Sequence, residues 1–323
     1  MVDRATRLKE VAVQVTAARR IIRDASKVDV NKWGVPDDSH LLKSPAIFRD
    51  EVHALFADRT CKGDKMPASK AENLLQFRPG EVTLWVGYKE SYKSTFLNEL
   101  ATYWACNRIP VCVASLEMPA AILLQRTVLQ AAAKETPSKA EIDLALEVLA
   151  ESLTLYDVTG RLTPRHLCAV MHYSAVELGC RHFLLDNLTM VLSVDNERAA
   201  EHQQFIADCC TIARTTGCHV HLVAHCTKPE GGDEGRMPSG YNVRGTGTAP
   251  DMVDNIVIVW RNKPKESKLE GDRASEEVRK EPDVIINVDK QRHWDYRGML
   301  KFWIDRKRLR FMQYGSEEPR PFV

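Results

Sequence analysis

Net charge is nearly absent from this 323-residue sequence: 45 Lys and Arg stand against 44 Asp and Glu, leaving +1. A global basic field is thereby excluded, so any nucleic-acid surface must be a local stripe. Metal-binding cysteine patterns are missing too. The nine cysteines are scattered apart from adjacent Cys209 and Cys210, with no C-x-x-C and no zinc-finger His/Cys spacing. Such usage suits buried free thiols in a reducing compartment, which predicts a cytoplasmic protein. No apolar run approaches the ~20 residues that a membrane span requires. The N-terminal stretch MVDRATRLKEVAVQV lacks the apolar h-region of a signal peptide. No internal repeat is evident. What remains, 44% hydrophobic and 28% charged, can bury a full core in one large or two small domains.

Along the chain the texture changes twice. Residues 4–27 carry apolar positions at helical spacing, from Leu8 and Val11 to Ile21 and Ile22, with basic residues between them. A turn-rich break at Trp33–Asp38 follows, then a short helix over about 45–57 and a linker over 60–69. Residues 1–70 are therefore expected to be a helical N-terminal or linker segment. From Pro79 strands and helices alternate, which predicts an α/β fold with a mainly parallel sheet over 71–323. Strands are expected at 82–86, 111–115, 153–156, 182–185, 219–224 and 255–260. Helices should fill 94–107, 119–133, 138–151, 163–179 and 198–216, the third opened by the capping box Ser138-Lys-Ala-Glu141. The charged run 262–283 reads as a mobile loop. Three further strands near 284–289, 299–304 and 308–312 should form an antiparallel extension of the sheet.

The most informative segment is Gly87 to Thr95, G-Y-K-E-S-Y-K-S-T, between an apolar strand and a helical pattern. It has the frame of a phosphate-binding loop, in which backbone N–H groups wrap phosphates at a helix N-terminus. In that frame Gly87, Ser91, Tyr92, Lys93, Ser94 and Thr95 surround the nucleotide. Lys93 bridges β- and γ-phosphates, and the Ser94 hydroxyl ligates Mg²⁺. Tyr92, however, stands where the frame has its second glycine, and Glu90 sets a carboxylate near phosphate that Lys89 partly offsets. A chance strand–turn–helix carrying K-S-T is the alternative.

Three other strand ends carry suitable groups. Glu117, in Ser115-Leu-Glu-Met-Pro119, can polarise an attacking water, or it is an exposed acidic residue at a helix start. Asp186 closes the apolar strand Phe183-Leu-Leu-Asp186 and can hold Mg²⁺, although an Asp in a turn has the same form. His225 follows Val220–Ala224 and can contact a γ-phosphate, or it is a structural hydrogen-bonder. Their agreement carries more weight than any one of them.

Together these segments resemble the RecA-like core of replicative hexameric helicases. The phage primase–helicase and mitochondrial Twinkle group is most similar, and S-L-E-M-P is also typical of DnaB. Gly80-Glu-Val-Thr-Leu84, Leu184-Leu-Asp-Asn187 and Val223-Ala-His225 carry the likeness. So do Asn242-Val-Arg-Gly-Thr-Gly247 with Asp254 and Trp260-Arg-Asn262, and Val288-Asp-Lys-Gln-Arg292, in the family's order over about 74–312. The resemblance implies an ATP- and Mg²⁺-dependent helicase, with Glu117 as catalytic base, Asp186 as the Walker B acid and His225 as γ-phosphate sensor. It implies that Lys290 and Arg292 reach into a neighbour's ATP site, and that Arg261 lies near the nucleotide; a solvated strand end is the alternative for the first two. DNA-facing loops would present Arg198, Lys228, Arg244, Gly245 and Gly247 to single-stranded DNA without reading its sequence, unless they are plain solvated loops. The implied partners are single-stranded DNA, further copies in a hexameric ring and a separate primase or polymerase in a bacterial host cell, with no membrane. Residues 1–70 are too short for a primase module, so no primase activity is inferred. The basic N-terminal helix would grip the adjacent subunit. Two other readings stay open: a DNA-binding ring with a decayed nucleotide site, and a RecA-like recombination or loading ATPase.

Overall fold

The structure is a computed structural model that describes residues 43–57, 62–158, 160, 162–191, 199–227, 234–240, 242–243, 249–270 and 275–323. The chain divides into two units, Met1–Thr60 and Cys61–Val323. The described part of the first is a short 3-10 turn, Pro45–Phe48, running into helix α1, Arg49–Ala57, close to the expected 45–57. The helix expected over 4–27 lies outside the described residues.

The larger unit starts earlier than the expected boundary at 70/71. Asp64 bridges Phe77 in an antiparallel pair, and Met66 and Ala68 are buried with Phe77 in the core. Apolar side chains inside a polar-looking stretch thus turn the expected linker into part of the domain.

Among the described residues nine strands form one sheet in the order β3-β2-β4-β5-β1-β6-β7-β8-β9. Strands β1 (Val82–Gly87), β2 (Val111–Ser115), β3 (Leu153–Leu155), β4 (His182–Asp186), β5 (His219–His225) and β6 (Asn255–Arg261) are parallel. Strands β7 (Val284–Gln291), β8 (Gly298–Asp305) and β9 (Arg310–Met312) continue antiparallel. This is the expected RecA-like α/β class with its antiparallel extension.

The central strand explains the sheet's position. Every residue of β1 is buried, with Val82, Leu84 and Val86 in one core cluster and Trp85 in the other. A strand covered on both faces needs helices above and below, and the crossover connections supply them. Helices α2 (Lys93–Cys106), α3 (Ala120–Ala132) and α4 (Lys139–Ala150) follow β1 and β2; α5 (Pro164–Val176) and α6 (Ala199–Thr216) follow β3 and β4. Leu97, Leu100 and Trp104 of α2 pack in the Trp85 cluster, while Leu167 and Met171 of α5 and Phe205 and Ile206 of α6 pack in the other. The capping box of α4 forms as its sequence predicts, Ser138 and Glu141 satisfying each other's backbone N–H groups. A four-residue helix, α7 (Ala249–Met252), precedes β6.

The charged run 262–283 is not simply a loop. It contains α8 (Lys263–Glu270) and α9 (Glu276–Lys280), the latter N-capped by Ser275. Lys265 is buried against the Asp283 carboxylate at 2.7 Å and the Glu281 carbonyl at 2.6 Å. Paired charges, invisible to a composition argument, hold this segment down.

Polar groups also run through the core. The Trp85 indole N–H donates to His221 Nδ1 (3.1 Å), so His221 Nε2 carries the proton toward His182 Nδ1 (3.2 Å). His182 Nε2 then donates to Asp64 (2.9 Å). His219 is fixed separately between Thr83 Oγ1 and the Arg78 carbonyl. Burial drives all three histidines below their ordinary pKa, His219 and His221 furthest. The eight cysteines among the described residues are free thiols, six of them buried. No helix among the described residues is long and apolar enough to cross a membrane.

Candidate nucleotide site

Strand β1 ends at the crevice where the strand order switches sides, the usual ligand position of an open parallel sheet. Gly87 closes that strand for a steric reason. A Cβ there would lie 2.3 Å from the Val259 carbonyl and 2.6 Å from Ser91 Oγ. Two later loop residues adopt left-handed backbone without being glycine: Glu90 at φ 63° and Tyr92 at φ 69°. For an L-residue this costs about 1–2 kcal/mol.

Packing of the Tyr92 ring offsets that cost. The ring meets Phe311 of β9 edge-on at 6.4 Å and lies 4.8 Å from the Arg261 guanidinium. Arg261 in turn donates to the Glu90 carbonyl (3.2 Å) and is held by the Glu266 carboxylate. Phe311 is fixed by Glu99 of α2, whose carboxylate accepts from the Phe311 N–H (2.9 Å) and Arg310 Nε (2.7 Å). Burial pushes that carboxyl up to about 7, with Arg310 opposing. The antiparallel extension therefore buttresses the loop, and the half-buried Tyr92 ring packs against it.

Lys93, buried at the start of α2, donates to the carbonyls of Gly87 (2.9 Å) and Tyr88 (2.6 Å) and contacts Ser91 Oγ at 3.4 Å. Burial lowers its pKa to about 8, opposed chiefly by Asp186. Asp186, at the end of β4, is raised by burial; its hydrogen bond with Ser94 opposes this, whereas nearby Glu117 adds to it. Two carboxylates beside a serine hydroxyl form an all-oxygen group that suits a hard divalent cation such as Mg²⁺. No cluster of three or more His, Cys, Asp or Glu with metal-holding geometry occurs among the described residues.

Glu117 follows β2 and His225 ends β5. Asn187, wholly buried, joins them: its Nδ2 donates to Glu117 Oε1 (2.6 Å) and faces His225 Nε2 at 3.1 Å. Sequence reasoning misses Asn187, because it takes L-L-D-N for its Asp alone. The available signal is an Asn just after the strand end, as N-cap of the 3-10 turn Leu188–Met190. Thr95 stands beside the group, its carbonyl accepting from Gln130.

Lys290 and Arg292 do not join this site. Strand β7 is antiparallel, pairing Arg261 with Val284 at the nucleotide edge and Asn255 with Gln291 at the far edge. At ~3.4 Å per residue its length separates the two ends by roughly 24 Å. There Lys290 donates to the carbonyls of Pro250, Asp251 and Val253, and Arg292 to those of Asp251, Met252 and Val253. Arg292 also pairs with buried Asp254 at 3.1 Å. The expected DNA contacts Arg198, Lys228, Arg244, Gly245 and Gly247 lie outside the described residues.

Comparison with known proteins bears on family and fold. A family model described as an AAA domain matches residues 53–231, more than half of the chain. A DNA helicase/primase of Enterobacteria phage T3 is 29% identical over 119 residues, 35% of this chain. The chain covers only 21% of that relative's length. Among solved structures, one described as an ATPase domain has a TM-score of 0.68 at 16% identity, covering 83% of this chain and 96% of that one. A DnaB-like replicative helicase, described with its interactions with primase, gives 0.67 at 16%, covering 95% and 76%. At such identity the likeness is one of fold, which is the RecA-like ATPase fold of DnaB-type helicases. With its phosphate-loop frame and the family match over 53–231, this chain belongs to the AAA-domain family.

Proposed function

We propose that the chain is the motor domain of a ring-forming, phage-type DNA helicase that couples ATP hydrolysis at subunit interfaces to movement along single-stranded DNA. The observation that carries this reading is the convergence of Lys93, Ser94–Asp186, Glu117 and His225 at the carboxyl ends of neighbouring strands, joined by Asn187.

The roles follow from position. Lys93 turns from the loop carbonyls to the β- and γ-phosphates, whose charge favours its protonated form against burial. Ser94 and Asp186 would hold Mg²⁺, which would neutralise phosphate charge. Glu117, exposed at the edge of the group, orients a water for attack and accepts its proton. His225 contacts the γ-phosphate side and passes its state to the segment beyond β5. Tyr92 and Arg261 form one wall of the loop, and engagement of the Tyr92 ring by Phe311 and Arg261 leaves the phosphates to loop backbone, which favours a hydrolysing site over a decayed one. Arg292, with Lys290, serves a neighbouring copy, since in its own chain it lies at the far sheet edge. Residues 1–60 act as the linker to the adjacent subunit, and Arg198, Lys228, Arg244, Gly245 and Gly247 face DNA. A hexameric ring working with a separate primase or polymerase in the host cytoplasm completes the proposal.

Strand displacement on a forked substrate, run beside ATPase assays with and without single-stranded DNA, tests it. DNA-stimulated hydrolysis with unwinding is the expected result. Hydrolysis without unwinding would move the chain to the recombination or loading class. DNA binding without hydrolysis would mark a decayed site.

A further inference from the structure

Asn187 has two amide protons and one carbonyl oxygen, and the surrounding chain decides which way round they sit. The Thr189 backbone N–H donates to Asn187 Oδ1 at 3.0 Å, and the Thr189 hydroxyl donates to the same oxygen. Because an N–H can only donate, that end must be the oxygen, and Nδ2 must face the other way. It then meets Glu117 Oε1 at 2.6 Å and His225 Nε2 at 3.1 Å. Both Nδ2 protons are thereby used, one on each group.

The histidine tautomer follows from this. A neutral imidazole carries one proton, and a ring nitrogen that accepts from an amide cannot also donate. His225 is therefore held with Nε2 as acceptor and the proton on Nδ1. The Glu117 carboxylate is held in the same way, by one oxygen, leaving the other available. Glu117 follows β2 and is exposed, so little else restrains its swing. Asn187 is fixed by complete burial between β4 and the 3-10 turn.

We propose that Asn187 is a positioning residue for hydrolysis: its one side-chain amide aims the Glu117 carboxylate and sets the His225 tautomer. It thereby ties the water-activating group on one strand to the phosphate-sensing group two strands away. The proposal rests on the roles given above to Glu117 and His225, but the orientation of the two side chains can be read without turnover.

Two substitutions separate this from a structural role. Asn187→Asp keeps an oxygen for Thr189 while removing both donated bonds; Asn187→Leu removes all polar contacts without adding charge. Steady-state ATPase of the full chain should show kcat lowered at least about tenfold in both variants, with KM for ATP within about threefold. If Asn187 only braces the turn through Thr189, Asn187→Asp would keep kcat and the proposal fails.

The second measurement uses ¹⁵N-histidine-labelled full-length protein, with the His225 signal assigned by its loss in His225→Gln. Wild type should show a single tautomer protonated at Nδ1, and Asn187→Leu should lose that preference. A wild-type His225 protonated at Nε2, or an unchanged signal in Asn187→Leu, would overturn the inference. Should the wild type bind but not hydrolyse ATP, the proposed function fails while this signal still decides the role of Asn187.

Discussion

At the carboxyl edge of the parallel strands, Lys93, Ser94, Asp186, Glu117 and His225 converge from β1, β2, β4 and β5 on one another. At the opposite edge, Lys290 and Arg292 are directed at the carbonyls that end α7 and at Asp254. The first edge concentrates charge that its own chain does not fully neutralise: two carboxylates lie together, and a buried lysine has a lowered pKa. The second edge is already satisfied by backbone acceptors and one carboxylate. One edge is built to take a ligand from solution. The other holds cations that, on the proposed function, would have to leave existing partners before serving a second copy.

The contrast breaks most severely at Lys93. Lys93→Ala should reduce ATP turnover by about 10³-fold or more in a steady-state assay, with thermal unfolding showing an intact fold. Arg292→Ala should be the next largest effect. Loss of a trans-acting finger predicts about 10³-fold lower DNA-stimulated turnover, with fluorescent-nucleotide binding largely kept. Mixing Lys93→Ala with Arg292→Ala protein should recover part of the activity, because some interfaces then pair an intact loop with an intact finger. Unchanged DNA-stimulated turnover in Arg292→Ala would show that the far edge is only structural.

Three smaller predictions concern the scaffold and the loop. His182, His219 and His221 are held neutral with folded-state pKa values below the unfolded value near 6.5. Below that pH the unfolded chain binds more protons, so stability is full above ~6.5 and falls with acid. Each histidine contributes up to ~1.4 kcal/mol per pH unit, and thermal melts from pH 7.5 to 5 should record the decline. The smallest effect belongs to Tyr92→Gly. It relieves about 1–2 kcal/mol of backbone cost but gives up the contact with Phe311, so denaturant midpoints should move little and ATPase should persist. By contrast, Gly87→Ala places a Cβ against the Val259 carbonyl and should destabilise the protein measurably in the same titration.

Much of this is legible in the sequence where local pattern and global fold agree. Strands at 82–87, 111–115, 182–186, 219–225 and 255–261 stand where alternation of apolar runs and helical periods put them. The capping box at Ser138 forms as its residues dictate. Sequence and structure part where long-range partners override composition. Residues 62–70 look polar but insert Met66 and Ala68 into the core, and 262–283 looks unstructured but is pinned by Lys265 and Asp283. Asn187 escapes a sequence reading because its importance lies in what it touches, on strands far apart in the chain.

The sequence by itself determined the class of the fold and the chemical cast of the nucleotide site, since periodicity and a loop frame are local properties. Only the tertiary structure decided how Tyr92 is tolerated, that Asn187 joins Glu117 to His225, and which edge receives Lys290 and Arg292. Each of these depends on the register of strands distant in the chain: β9 brings Phe311 to Tyr92, β4 lies between β2 and β5, and β7 runs antiparallel. Side-chain chemistry is written residue by residue, but the distance between two side chains exists only once the sheet has closed.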